Sequence, residues 1–388
     1  MKKNYTTIIL LTFFGLSANA QWAITTGPSE PNVVALGANN TVLLAGCSSA
    51  GSSLGGYRTL NNGNTWTPTG TSLVSKFSSI AVNSGNGTIY AGGQACFYQS
   101  ADNGATFTNT NTGLSSYTTD DIVIDGTKLY ASAQGIYLSI NGGLNWSLIS
   151  PVISSRRMDV SGSIILVGTT TTGVYLSTNS GSTWATATSG LPTNIADVKI
   201  VGTNFLVATA SGVYISTNSG STWTITNLTI STNCIYQIGS TLFAGCNGGV
   251  YYSTNGGNTW IASNTGLTNM TVYSLTSNAT YIFAGTTGYV FRRPLSDFGL
   301  TTSVLNQNNM TADITLAPNP NNGIFTISQN NTTKTEIEIH NIVGELIYTT
   351  TTTMSQTTID LSRQPKGIYF VRTTDTNKSV TNKKIIIQ

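Results

Sequence analysis

A phrase that ends in an aromatic residue recurs through the first part of the chain. The copies "VYLSTNSGSTW" and "VYISTNSGSTW" end at Trp184 and Trp223, 39 residues apart. Looser copies end at Trp66, Phe107, Trp146 and Trp260, which makes the successive gaps 41, 39, 38, 39 and 37 residues. A repeat of this length indicates a solenoid or a propeller.

The content of each repeat favours a propeller. Residues 196–209, "ADVKIVGTNFLVAT", alternate between apolar and polar residues on both sides of a turn that contains glycine. A further apolar strand follows in "GVYIS", and no segment has a helical period. Four short antiparallel strands per repeat are typical of a propeller blade.

The number of inner hairpins sets the number of blades. Seven hairpins occur, over residues 33–46, 80–92, 122–132, 158–168, 198–209, 235–245 and 272–285. No tryptophan closes the seventh, whereas Trp22 in "QWAITTG" precedes the first. We therefore predict an all-β fold: a seven-bladed β-propeller closed by the N-terminal strand, which leaves no unpaired edge between its first and last blades.

The N-terminus has the composition of a secretory signal peptide. Lys2 and Lys3 precede a short apolar run, and Ala18 and Ala20 supply the small residues of a cleavage site. The apolar run is too short for a membrane-spanning helix. We predict a signal peptide over residues 1–20, the propeller over 21–294, a polar linker over 295–311 and a small β-sandwich over 312–388.

Charge and cysteine usage exclude several classes of function. Charged residues make up 8% of the chain and the net charge is +3, too small and too scattered for a nucleic-acid surface. The chain has a single histidine, His340, and no Cys-x-x-Cys pair, so we predict no metal site and no cofactor. Cys234 and Cys246 flank one hairpin and are candidates for a disulfide in an exported protein; buried free thiols are the alternative.

The recurring phrase has the form Ser-x-Asn/Asp-x-Gly-x-Thr-Trp. It resembles the Asp-box, or BNR repeat, of sialidase-like and sortilin-like propellers. Asn or Asp and Gly make a tight turn, and the aromatic ring packs between sheets, so we interpret the boxes as structural. The box residues are Ser100, Asp102, Gly104 and Phe107; Ser139, Asn141 and Trp146; Ser177, Asn179 and Trp184; Ser216, Asn218 and Trp223; and Ser253, Asn255 and Trp260.

The last 77 residues or so contain another set of ordered phrases. They are similar to the type A C-terminal sorting domain of the type IX secretion system of Bacteroidota. The matching residues are Pro318, Asn319, Pro320, Gly323, Gly344, Gly367, Tyr369 and Lys384. The resemblance implies delivery to the outside of the cell by the type IX secretion machinery.

Catalytic sets are incomplete in the propeller. A sialidase needs an arginine cluster and a Tyr/Glu nucleophile pair, but Glu30 is the only glutamate between residues 22 and 293. A glycosidase needs two carboxylates that face one cleft. The residues that we expect near the axial opening are Lys76, Tyr117, Asp120, Asp121, Arg156 and Arg157. They would form either a polar binding site or a surface ion-pair cluster.

Two hypotheses follow for the function. The favoured one is an exported, secreted or surface-anchored protein that binds a polysaccharide or a protein without catalysis. The alternative is a glycoside hydrolase, sialidase-like or xyloglucanase-like, with an atypical acidic site at Asp120 or Asp121. The incomplete catalytic sets favour a protein that is not an enzyme, with the hydrolase as the alternative.

Overall fold

The computed structural model describes residues 20–28, 30, 32–48, 56–69, 76–94, 96–114, 118–150, 154–300, 315–328, 334–341, 345–375 and 380–388. The chain divides into two compact units, Met1–Thr302 and Ser303–Gln388. Every sheet in the described residues is antiparallel apart from one isolated parallel bridge in the second unit.

The described part of the first unit forms seven four-stranded sheets. Its strands are β1 (Ala23–Ile24), β2 (Val33–Ala38), β3 (Leu43–Cys47), β4 (Tyr57–Thr59), β5 (Thr67–Pro68), β6 (Phe77–Val82), β7 (Ile89–Gly93), β8 (Cys96–Ser100), β9 (Thr108–Asn109), β10 (Asp121–Asp125), β11 (Lys128–Ser132), β12 (Ile136–Ser139), β13 (Ser147–Ser150), β14 (Ser155–Ser161), β15 (Ile164–Thr169), β16 (Val174–Ser177), β17 (Ala185–Thr186), β18 (Ile195–Val201), β19 (Asn204–Thr209), β20 (Gly212–Ser216), β21 (Thr224–Ile225), β22 (Thr232–Ile238), β23 (Thr241–Cys246), β24 (Gly249–Ser253), β25 (Ile261–Ala262), β26 (Val272–Ser277), β27 (Tyr281–Thr286) and β28 (Val290–Pro294).

Each sheet contains four strands that follow one another in the chain, with one exception. The sheets are β2–β5, β6–β9, β10–β13, β14–β17, β18–β21, β22–β25, and β26–β28 with β1. The first strands β2, β6, β10, β14, β18, β22 and β26 contact one another in cyclic order. The second strand of each sheet is almost entirely buried, because neighbouring sheets cover both of its faces.

The N-terminal strand completes the sheet formed by the last three strands. β1 pairs with β28, with Ala23 opposite Arg292. The buried Trp22 Nε1 donates to the Ser263 carbonyl at 2.6 Å, and the Trp22 amide donates to the Thr265 carbonyl at 2.8 Å. These bonds join residues about 240 positions apart in sequence and hold the N-terminal strand of the last sheet against the sheet β22–β25.

A short 3₁₀ turn, Leu295–Phe298, follows β28 within the first unit. Leu295 is buried, and the Phe298 ring meets the Phe243 ring edge-on at 4.9 Å. Arg293 Nε binds Asp297 Oδ2 at 3.0 Å within the same turn. The sequence predicted a polar linker from residue 295. The apolar side chains at both ends of this turn pack with the core.

The second unit contains two sheets around one core. Its strands are β29 (Thr315–Ala317), β30 (Ile324–Ser328), β31 (Thr335–Asn341), β32 (Leu346–Thr352), β33 (Gln356–Asp360), β34 (Gly367–Asp375) and β35 (Val380–Ile387). The sheet orders are β29-β30-β33 and β32-β31-β34-β35. Phe325 and Ile359 from the first sheet share one apolar cluster with Ile337, Val371 and Ile385 from the second.

Cys234 and Cys246 are free thiols in the structure, which is the second of the two alternatives that the sequence allowed. A β-bulge near the start of β22 shifts the register, so Cys234 lies opposite Gly245 and Cys246 lies opposite Thr232. The Cys246 sulfur instead makes a 3.3 Å contact with the Thr232 hydroxyl. Burial raises the pKa of Cys246 to about 12, which keeps the thiol protonated and unreactive.

Candidate functional site

The six repeated phrases form one type of turn between the third and fourth strands. In the acidic copy, Ser100 Oγ accepts a bond from the Gly104 amide at 2.9 Å and donates to Asp102 Oδ1 at 2.8 Å. Asp102 Oδ1 also accepts the Thr106 amide at 2.9 Å. Two bonds recur in all six copies. The amide four positions after the Ser or Thr donates to its hydroxyl, and the amide four positions after the Asn or Asp donates to its side-chain oxygen. The copies are residues 59–65, 100–106, 139–145, 177–183, 216–222 and 253–259.

The closing aromatic residues pack between neighbouring sheets. Trp146 meets Phe97 of the preceding sheet edge-on at 4.7 Å, and Trp223 Nε1 donates to the Ala187 carbonyl at 2.8 Å. Gly104 has a φ of 74°, and a Cβ there would lie 2.8 Å from Leu44 in the sheet before it. Both features contact an adjacent sheet, and we call the six turns the rim turns.

The first strands have an edge without a partner strand, because each lies innermost in its sheet. In six of the seven described sheets, the register between the first and second strands shifts at a β-bulge near the start of the first strand. This bulge sets one equivalent position per sheet, which we call the inner column. Its members are Ala35, Ser79, Asp121, Arg157, Asp197, Cys234 and Ser274.

Small residues lie opposite the inner column on the second strands. They are Gly46, Gly92, Ser132, Gly168, Ala208, Gly245 and Gly285. A Cβ on Gly168 would lie 2.5 Å from the Ile195 side chain of the next sheet. These small residues therefore allow the next sheet to approach closely, and they bring the inner column together.

The two aspartates of the inner column bind the free edge of the next first strand. Asp121 Oδ2 accepts the Met158 amide at 2.8 Å, and Asp197 Oδ2 accepts the Ile235 amide at 2.7 Å. Asp159, two positions after Arg157, accepts the Ile200 amide in the same way at 2.7 Å. Buried amides need an acceptor, so these carboxylates hold neighbouring sheets together.

Arg157 lies between the two aspartates in ring order and does not form an ion pair with either. Its Nη1 donates to the carbonyls of Asp120 and Arg156. Among the described residues, no group accepts a hydrogen bond from its Nε or Nη2. The guanidinium therefore keeps donors available at the end of the ring where the first strands begin.

The surroundings of the carboxylates disfavour their ionised form. Burial raises the pKa of Asp197 to about 7, although Arg157 and two backbone amides oppose the shift. Burial also raises the pKa of Asp121, again against the attraction of Arg157. The causes are loss of hydration and the closeness of like charges, which are common at functional sites.

All seven residues of the inner column line one cavity of about 480 Å³. Among its described lining residues, the charges come from three consecutive sheets: Asp121, Arg157, Asp159, Asp197 and Lys199. The wall formed by the other sheets includes Val34, Leu36, Tyr236, Tyr273 and Leu275. The cavity thus has a charged side and an apolar, aromatic side.

Towards the hairpin end of the strands, the charged side chains of the cavity form an ion pair. Lys199 Nζ binds Asp159 Oδ2 at 2.9 Å, and Asp159 is almost fully buried. The rim turns lie at this same end, because first and third strands of an antiparallel sheet run in one direction. The end with Arg157 is therefore opposite to the rim turns.

The residues predicted at the axial opening differ in their placement. Asp121 and Arg157 line the cavity, and the carbonyl of Asp120 accepts a hydrogen bond from Arg157 Nη1. Arg156 is exposed to solvent. Lys76 lines a different cavity of about 270 Å³ with Phe77, Gln94 and Thr118. Tyr117 lies outside the described residues.

Three charged residues of the cavity were missed by the sequence reasoning. They are Asp159, Asp197 and Lys199. An alignment on the hairpin glycines would have found Asp197, since Asp121, Arg157 and Asp197 each stand five positions before such a glycine. Asp159 and Lys199 stand three positions before the same glycines, in neighbouring repeats.

The predicted sorting residues of the second unit come together around its last strand. Asn319 Nδ2 donates to the Lys384 carbonyl at 2.9 Å, and Asn319 Oδ1 accepts the Ile386 amide at 3.0 Å. Gly323 has a φ of 100°, and a Cβ there would lie 2.5 Å from Ser362 Cα. The buried Tyr369 donates to the Pro365 carbonyl. Gly344 lies outside the described residues.

Two further features are absent from the described residues. No group of three or more His, Cys, Asp or Glu side chains is arranged to hold a metal ion there. The described part of the chain also has no helix long and apolar enough to cross a membrane.

Residues 315–388 match the family described as the secretion system C-terminal sorting domain. The protein is therefore exported by the type IX secretion system, either into the medium or to the outer cell surface. No curated protein sequence matches the chain significantly.

Solved structures with a propeller-like fold resemble the chain at low sequence identity. YCF48 from Cyanidioschyzon merolae is 15% identical, with a TM-score of 0.53, over 71% of this chain and 100% of that one. YCF48 bound to D1 peptide is 14% identical, with a TM-score of 0.55, over 70% and 96%. The GH74 enzyme of Niastella koreensis is 14% identical, with a TM-score of 0.54, over 95% and 74%. At these identities the likeness concerns the fold, and the chain is an all-β, propeller-like protein with a type IX sorting domain.

Proposed function

We propose that this protein is a seven-bladed Asp-box β-propeller, closed by its N-terminal strand and followed by a β-sandwich sorting domain, that binds a polysaccharide or a protein at the bacterial surface without catalysis. The binding site is the end of the axial cavity at Arg157. A signal peptide over residues 1–20 would take the chain across the inner membrane, and residues 312–388 would then direct it through the outer membrane.

The available guanidinium of Arg157 is the observation that carries this proposal. Its Nε and Nη2 are without acceptors among the described residues, although it lies in a cavity beside Asp121 and Asp197. A charged group that is partly desolvated normally has its hydrogen bonds satisfied. Donors held towards an opening are therefore suited to a ligand, and preorganised donors of this kind give specificity to small concave sites.

The carboxylates of the cavity support binding over catalysis. Asp121, Asp159 and Asp197 each accept a backbone amide of the next sheet, so they are used to hold the ring. A glycosidase needs one carboxyl group free to protonate the leaving oxygen and a second that acts on the sugar or on water.

A glycoside hydrolase is the second candidate. The raised pKa of Asp197, about 7, is the observation that favours it, because a general acid must stay protonated near neutral pH. The fold resemblance to a GH74 enzyme is compatible with either function, since propellers support many functions.

A comparison of binding and turnover separates the two candidates. The full chain is tested for retention on intact bacterial surfaces and on a polysaccharide panel, and the same panel is assayed for new reducing ends. Non-catalytic binding predicts retention without turnover. Release of reducing ends that Asp197→Asn abolishes would establish the hydrolase instead, and absence of both retention and turnover would refute the binding proposal.

The export segment is tested independently. We expect a chain lacking residues 312–388 to accumulate in the periplasm, because it lacks the domain that the outer-membrane machinery recognises. Normal secretion of the truncated chain would contradict this role of the segment. Immunoblots of periplasm, cell surface and medium distinguish the two results.

A further inference from the structure

We propose that the Arg157 end of the cavity binds the terminal residue of a neutral oligosaccharide, which enters end-on. The inference rests on the proposed binding function and adds the chemical class of the ligand and its mode of entry.

The closed order of the first strands restricts how a ligand can enter. β2, β6, β10, β14, β18, β22 and β26 contact one another in a cycle, and the cavity lies inside this cycle. A polymer cannot reach a site inside a closed ring from the side, so its end must enter first. The Lys199–Asp159 ion pair lies further along the same cavity, towards the hairpin end.

The hydrogen-bonding groups at the Arg157 end fit sugar hydroxyls. Arg157 supplies donors, while the carboxylate oxygens of Asp121 and Asp197 have further lone pairs beyond their amide bonds. A sugar hydroxyl both donates and accepts, so vicinal hydroxyls can bind a guanidinium and a carboxylate together. A ligand of this kind satisfies both sets of groups at once.

The balance of charge favours a neutral ligand. The described lining contains three carboxylates and two cationic side chains. An anionic ligand would bring a further negative charge next to Asp121 and Asp197, and a cationic one would face Arg157. Arg157 would attract the anion that the aspartates repel, and the aspartates would attract the cation that Arg157 repels, so neither charge gains clearly, whereas a neutral ligand avoids the cost of desolvating an ion.

The opposite wall and the size of the cavity suit a sugar ring. Tyr273, Val34 and Leu275 line the side of the cavity away from the charged sheets. Apolar and aromatic surface can cover the C–H face of a sugar while its hydroxyls meet the polar wall. The cavity volume of about 480 Å³ falls within the range of roughly 300–1,000 Å³ that is usual for small-ligand sites.

The test compares chain ends with chain interiors. The full chain is applied to an array of neutral linear gluco-, galacto-, manno- and xylo-oligosaccharides attached through their reducing ends. A matched array carries the same oligosaccharides with the non-reducing residue methylated on every hydroxyl. Cyclic glucans, which have no ends, are offered in solution alongside linear glucans of equal length.

We expect at least one linear oligosaccharide to bind, and methylation of its terminal residue to remove the binding. Arg157→Gln should weaken binding at least tenfold, Arg157→Lys should restore part of it, and Arg58→Gln should leave it unchanged. Arg58 is the matched control, because its guanidinium binds the Asn103 carbonyl at the rim. Thermal unfolding of each variant shows that the fold is retained.

Three results would overturn the inference: silence of the whole neutral array, equal binding of end-methylated or cyclic glycans, or equal binding by Arg157→Gln. If the array is silent while the chain still binds bacterial surfaces, this inference fails and the binding function stands. If neither binds, both fail.

Discussion

The rim turns and the inner column are two sets of equivalent positions, and they differ in how much the residue type varies from sheet to sheet. At the rim, six turns use nearly one sequence and the same two backbone bonds. In the inner column, the residues change from Ala35 and Ser79 to Asp121, Arg157 and Asp197 within five sheets. Both sets belong to the same repeat, so the backbone alone cannot account for the difference.

The contrast separates the residues that build the ring from those suited to a ligand. The rim turns are nearly identical because each one ends a third strand and contacts the neighbouring sheet in the same way. The inner column faces a shared cavity, where the sheets can differ without loss of the repeat. The most conspicuous phrase in the sequence therefore lies at the end opposite to the candidate site.

Removal of the ring closure should have the largest effect on stability. Trp22→Ala takes away a fully buried indole that packs the N-terminal strand between the last two sheets. We expect the free energy of unfolding to fall by about 3–5 kcal/mol, as for other buried aromatic truncations. Urea unfolding followed by tryptophan fluorescence measures the change.

Trp66→Ala is the matched control for this comparison. Trp66 is only half-buried, and its Nε1 lacks an acceptor among the described residues. Its truncation should cost clearly less than that of Trp22. Equal losses would show that closure by the N-terminal strand contributes nothing beyond an ordinary rim contact.

Stability should depend on pH through the inner column. The pKa of Asp197 is raised to about 7 in the folded protein, from an ordinary value of 3.8. The folded state therefore holds the proton more tightly, so its stabilisation is complete below about pH 4 and is lost as the pH rises through 7. We expect Asp197→Asn to flatten this decline, which is on the order of a few kcal/mol. Unfolding curves at pH 5 and pH 8 for both proteins provide the test, and identical pH dependence would contradict it.

A rim substitution should have a smaller effect that depends on the residue introduced. Asp102→Ala removes acceptors for the Thr106 amide and hydroxyl, and should cost about 1 kcal/mol. Asp102→Asn should cost less, because the other five copies use asparagine with the same amide bond. Thermal melts of both variants measure the difference, and an equal loss for Asn and Ala would show that the rim depends on the charge.

Reduction of the protein should have the smallest effect on its stability. Because Cys234 and Cys246 are free and lie out of register, added reductant should leave the melting temperature of the full chain unchanged. A drop in melting temperature on reduction would indicate a disulfide. Alkylation after unfolding, followed by mass spectrometry, counts the free thiols directly.

The sequence allowed the all-β class and the repeat length to be predicted because both depend on local signals. Alternation of apolar residues, glycine turns and the closing tryptophans recur at fixed spacing. The sorting domain could be predicted from ordered phrases such as Pro318–Pro320, which the structure places against the last strand. Signals of this kind need no knowledge of distant contacts.

The composition of the site could be predicted only in part. Asp121 and Arg157 could be predicted because each follows a second charged residue before an apolar strand, whereas Asp197 lies between Ala196 and Val198. The sequence left the disulfide and the free thiols as alternatives, because it does not show the one-residue bulge that changes the pairing of Cys234. Bulges depend on the packing of the next sheet, which a linear pattern does not contain.

The most direct test of the account is a calorimetric titration of the full chain with the oligosaccharide selected on the array, performed for Arg157→Gln and Asp102→Ala in parallel. If the inner column binds the ligand and the rim only builds the ring, Arg157→Gln loses at least tenfold in affinity and Asp102→Ala keeps the affinity of the unchanged protein. Equal losses in both variants, or full affinity in Arg157→Gln, would contradict it.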